Sequence, residues 1–139
     1  MRSQWFIGAA KLITEKNSDS SDGHALDDNL ILCIDAYNAV PWLSFMAIEC
    51  VLKGLLIYKK IDIKNLYEHN ILKQYTLAKQ YYPDISKIDD LDFFVTKYSD
   101  LVFSKSGGNR YPDKPYVPIF SHYWEVAENL RRFAKSQKN

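Results

Sequence analysis

Apolar positions recur at helical rather than strand spacing along most of this chain. Trp5, Ala9, Leu12 and Ile13 fall at i, i+4, i+7 and i+8 and predict a helix over about residues 3–16 with those side chains inward. A polar, glycine-containing stretch over 17–23 ends it. Asp27 or Asp28 is placed to cap a second helix carrying Leu30, Ile31, Ile34 and Tyr37. Pro41 then interrupts a helical pattern, which predicts a break or kink near residues 38–41, with Asn38 available as a new cap. From Trp42 to Tyr58 the chain is apolar nearly all round, Ser44, Glu49 and Lys53 being the polar exceptions. That pattern marks the central helix of a bundle.

Residues 59–68 read as a connection, and a further helix is expected from about His69, with Leu72, Tyr75, Thr76 and Lys79 marking its turns and Pro83 closing it. Ile88, Leu91, Phe94, Val95, Tyr98 and Val102 form the next stripe, with Ser86 or Asp89 as cap and Gly107-Gly108 as stop. The loop over 106–118 holds both of those glycines and Pro112, Pro115 and Pro118. A last helix starts near Ser121, with Tyr123, Ala127, Leu130 and Phe133 inward and Arg131, Arg132 and Lys135 outward. Strict alternation is nearly absent, so the expected fold is all-α: an up-and-down bundle of about five antiparallel helices.

Composition narrows this picture. With 139 residues the chain is one domain, 1–139, and 47% apolar content is ample for a core. No leader is expected, because the apolar stretch Trp5–Ala10 is short. The run Ala39–Ile48 falls well below the ~20 residues of a spanning helix. Cys33 and Cys50 have neither metal-site nor disulfide-framework spacing. The expectation is a cytoplasmic protein without membrane contact, metal or cofactor.

Net charge is only +1, so any polyanion binding needs a local patch. Residues 17–36 carry five Asp and no base, residues 53–79 carry six Lys against Asp62 and Glu68, and residues 131–139 carry four bases and no acid. A phosphate-binding surface arises only if the two basic segments meet; otherwise they are separate solvated faces.

Three phrases carry a family resemblance. The apolar helix contains Ala47, Glu49, Leu52, Lys53 and Leu56 in the order Ala-x-Glu-x-x-Leu-Lys-x-x-Leu. Downstream comes His69-Asn70-Ile71-Leu72, and then Arg110-Tyr111-Pro112-Asp113 before the last helix. Together, over about residues 40–135, they resemble HEPN domains (higher eukaryote and prokaryote nucleotide-binding). The resemblance implies a helical bundle, often homodimeric, from prokaryotic toxin–antitoxin or defence-type systems, some of whose members are metal-independent endoribonucleases. Those enzymes pair an arginine with a histidine about four to six residues later. Here the nearest such pair, Arg110 and His122, is separated by eleven residues.

The departure favours a non-catalytic module that binds a nucleotide, RNA or a protein partner. Its candidate ligand-binding residues are Glu49, Lys53, His69, Asn70, Arg110 and Tyr111. Glu49 and Lys53 form an i, i+4 pair whose charges are costly to bury unless they hold other polar groups. His69, at a helix start, is placed to cap the helix or to meet an anion. Arg110 and Tyr111 suit phosphate recognition and base stacking. Two alternatives stand beside this one. One is an endoribonuclease toxin using His69 as acid–base and Arg110 on the phosphate. The other is a structural partner of a nucleotidyltransferase-like protein.

Overall fold

The computed structural model describes residues 2–18, 28–62, 70–103 and 123–138. They form five α-helices: α1 (Arg2–Ser18), α2 (Asp28–Tyr58), α3 (Ile71–Tyr81), α4 (Leu91–Phe103) and α5 (Tyr123–Ser136). A short 3-10 helix (Pro83–Lys87) lies between α3 and α4, and no strand occurs among the described residues. The architecture is an all-α bundle. Helix α2 is its axis and packs against α1, α3, α4 and α5. Phe45, Ile48, Leu52 and Leu56 of α2 are fully buried, and Tyr75 of α3, Phe94 of α4 and Leu130 of α5 close around them. Burying each such side chain contributes roughly 1.5–3 kcal/mol, which is why α2 holds the bundle together.

The expected break near residue 41 does not occur. Helix α2 runs continuously through Pro41, which is buried. Pro41 has no N–H to offer the Tyr37 carbonyl, a local loss of about 3 kcal/mol for a proline inside a helix. Val40, Phe45 and Ile48 beside it are fully buried, and the core they build outweighs that loss. The apolar stretch is also longer than its sequence suggests. Val40–Tyr58 is apolar and long enough to cross a membrane, yet here it is mostly buried inside the bundle.

Helix α1 turns a different face inward from the one expected. Ile7 and Ala10 are buried and Phe6 packs against the core, whereas Trp5 is 80% and Leu12 54% exposed. Residues 5–13 are apolar on almost every side, so two stripes satisfy the helical period, and the small Ala10 lets α1 approach its neighbours. The Lys11 ammonium lies 5.2 Å from the centre of the Trp124 ring and ties α1 to α5.

Two helix ends also differ from expectation. Helix α3 is capped by Asn70 rather than His69, the Asn70 Oδ1 accepting the Lys73 N–H at 2.9 Å. Helix α4 starts at Leu91, later than a Ser86 cap would require. Ser86 lies in the 3-10 helix and donates its hydroxyl to the Pro83 carbonyl at 2.8 Å. Between the two, Asp90 adopts φ 61°, which turns the chain into α4. The glycine stop at 107–108 lies outside the described residues.

The C-terminus of α2 forms a Schellman motif. Ile61 N–H reaches the Leu56 carbonyl at 3.1 Å, Lys60 N–H reaches the Ile57 carbonyl at 2.8 Å, and Lys60 takes φ 59°. Ile61 packs back onto the core, the hydrophobic contact that accompanies such caps.

Candidate functional site

Of the candidate residues, Glu49 and Lys53 are brought together by one turn of α2. The Lys53 ammonium donates to Glu49 Oε1, and Glu49 is only 3% exposed. A polar side chain this deep is costly to bury unless it is partnered, and Lys53 supplies a partner one turn away. Asn70 is exposed, and its side-chain oxygen is committed to the α3 cap. His69, Arg110 and Tyr111, like His24 and His122, lie outside the described residues, as does the 106–118 loop. Cys50 is half-buried and is in no disulfide. Among the described residues no three His, Cys, Asp or Glu side chains gather to hold a metal ion.

A second place in the fold was not anticipated from the sequence. A cavity of about 360 Å³ opens where the first turn of α1, the last two turns of α2 and the end of α5 converge. Ser3, Gln4, Val51, Gly54, Leu55 and Tyr58 line it from the first two helices, and Arg131, Ala134, Lys135, Gln137 and Lys138 from the third. On α2 its lining residues lie roughly 140–240° around the axis from Glu49, so the cavity and the Glu49–Lys53 pair occupy opposite sides of that helix.

Arg131 is less exposed than an outward-facing helix position would be, at 18%. Glu128, one turn earlier, takes its Nε at 2.7 Å and its Nη2 at 2.6 Å, and also accepts from Arg132 Nε at 3.2 Å. These hydrogen bonds, against the opposing effect of burial, hold the Glu128 carboxyl below its usual range and raise Arg131 further. The remaining guanidinium nitrogen, Arg131 Nη1, is buried and has no hydrogen-bond partner among the described residues. The i, i+3 spacing of Glu128 and Arg131 signals the pair in the sequence. Its burial depends on how α5 docks, which the spacing does not reveal.

A third cluster joins α3 to α4. Lys79 donates to Asp92 Oδ1 at 3.3 Å and sits 4.5 Å from the Tyr75 ring centre. Burial first, and the nearby Asp92 carboxylate second, push the Tyr75 hydroxyl up to about 12. With α4 fastened to α3 in this way, the cluster reads as structural.

The described helices define a class, the all-α bundle built on one apolar axial helix. No protein-family model matches the chain, no curated protein matches it, and no solved structure matches it.

Proposed function

We propose that this chain is a HEPN-like helical module, non-catalytic and homodimeric, that binds a nucleotide or RNA in a prokaryotic toxin–antitoxin or defence-type system in the cytoplasm. The observation that carries this reading is the burial of Glu49 with Lys53 on the axial helix. Apart from Ser44, the helix is otherwise apolar or glycine from Trp42 to Tyr58, and the pair falls within the phrase that resembles HEPN domains. A buried ion pair of this kind adds little stability compared with apolar packing, and its use lies in fixing where polar groups stand. Glu49 would then position donors from the His69-Asn70 and Arg110-Tyr111 phrases toward a ligand phosphate.

The test is a binding and cleavage assay on the intact protein in chelator, with labelled single-stranded RNA and with nucleoside phosphates. The reading predicts saturable binding without cleavage, weakened by Arg110→Ala and His69→Ala in correctly folded protein. Cleavage lost in both variants would replace it with the endoribonuclease reading. Absence of any binding would overturn it and leave a scaffold for a protein partner such as a nucleotidyltransferase-like protein.

A further inference from the structure

The cavity between α1, α2 and α5 has a chemistry of its own. At about 360 Å³ it falls within the size range of small-molecule sites. Among the described residues no Asp or Glu lines it, whereas Arg131, Lys135 and Lys138 do. Setting Arg131 against its partner Glu128 leaves two positive charges, Lys135 and Lys138, neither of which has an ion-pair partner among the described residues. Two uncompensated cations on one wall match a dianion.

Two further observations concern its walls. Ser3 and Gln4 stand in the first turn of α1, where backbone N–H groups have no acceptor within their own helix. Gly54 sits in the interior of α2, where glycine is disfavoured, and a Cβ built there meets nothing within 4 Å. Helix packing therefore does not require a glycine at 54, and its absent side chain leaves the cavity its depth. Leu55, Val51 and the half-exposed ring of Tyr58 supply an apolar wall beside the charged one.

We propose that this cavity is a binding site for a small phosphomonoester carrying a ring. Its phosphate is held by Lys135 and Lys138, and its ring lies against Tyr58 and Leu55. The site stands on the opposite side of α2 from Glu49 and does not depend on the function proposed for that residue.

Calorimetry of the full chain with adenosine 5′-monophosphate, adenosine and inorganic phosphate tests it. The expected order is tightest binding for the nucleotide, weaker for phosphate and none for adenosine. Lys135→Glu/Lys138→Glu should weaken the nucleotide by at least about tenfold, the effect of one lost charge-assisted contact or more. Lys73→Glu/Lys97→Glu makes the same change in net charge at exposed positions on α3 and α4 and should leave binding unchanged. Gly54→Leu fills the cavity without touching any charge and should abolish binding while the helical content stays intact.

Equal binding of adenosine and its monophosphate would overturn the proposal. So would nucleotide binding that survives both Gly54→Leu and the Lys135/Lys138 change. If such binding were instead lost in His69→Ala and Arg110→Ala, the proposed function would stand and the cavity site would fall. A 5′-phosphorylated oligoribonucleotide, run alongside, separates a free nucleotide from the end of an RNA chain as the source of the phosphate. Either ligand binding through Lys135 and Lys138 supports the site, and neither doing so overturns it.

Discussion

Lys60 occupies the one position in the Schellman motif that is normally glycine, and replacing it offers a sharp test of how α2 ends. With φ at 59°, its Cβ crowds the neighbouring carbonyl, a conformation that costs an L-residue about 1–2 kcal/mol. Glycine removes that cost but loses roughly 0.5–1 kcal/mol more chain entropy on folding. The two motif hydrogen bonds are main-chain and survive any side chain at 60. Comparing Lys60→Gly with Lys60→Ala isolates the Cβ, because both remove the charge and its interaction with the helix end. The glycine variant should be the more stable by about 0.5–1 kcal/mol, which is a rise of roughly 2–4 °C in Tm for a chain of this size. Urea melts read by helical circular dichroism give the difference as a shifted midpoint at constant slope. Lys60→Val should fall below both. If Lys60→Gly were no more stable than Lys60→Ala, the left-handed cap, and with it the place where α2 stops, would be wrong.

Four further outcomes follow from the same structure. Gly54→Ala should raise stability by about 1 kcal/mol in thermal melts, because the new Cβ meets nothing and the helix gains propensity. Lys53→Met, which removes a partner of the buried Glu49 side chain, should cost about 1–3 kcal/mol in urea melts, and Glu49→Gln/Lys53→Met should recover part of it. The carboxyl of Glu128 is depressed in the folded state, so its contribution is present above the usual glutamate range and lost as pH falls through the depressed value. Glu128→Gln should flatten the acid limb of a stability–pH curve. The Tyr75 hydroxyl is raised to about 12, so its contribution is complete below the ordinary tyrosine value near 10 and is lost as pH rises from there toward 12. Tyr75→Phe should remove that alkaline loss, followed by tyrosinate absorbance alongside unfolding.

The helices legible in the sequence are those with one unambiguous stripe. Leu91, Phe94 and Val95 of α4, and Ala127 and Leu130 of α5, are buried as their spacing demands. On α1 the signal fails because Trp5, Phe6, Ile7, Ala9, Ala10 and Leu12 surround the helix. Which face turns inward is decided by what packs there, and Ala10 rather than Trp5 fits. Pro41 misleads for a related reason. Local chemistry argues for a break, and only the tertiary burial of Val40, Phe45 and Ile48 shows why the helix continues.

The candidate sites divide in the same way. Glu49 and Lys53 are one turn apart on a single helix, so their contact is legible from spacing alone. The cavity draws Ser3, Gly54 and Lys135 from three helices far apart in sequence, and no local pattern brings them together. Even within α5, the Glu128–Arg131 pair is visible in the spacing, but the buried edge of Arg131 is not.

The most direct test of the binding role is native mass spectrometry of the protein purified from its own host at low salt. The account predicts a homodimer carrying extra mass of nucleotide size on each chain, released as a phosphate-bearing species on denaturation. A bare dimer, or a complex formed only with another protein, would contradict it.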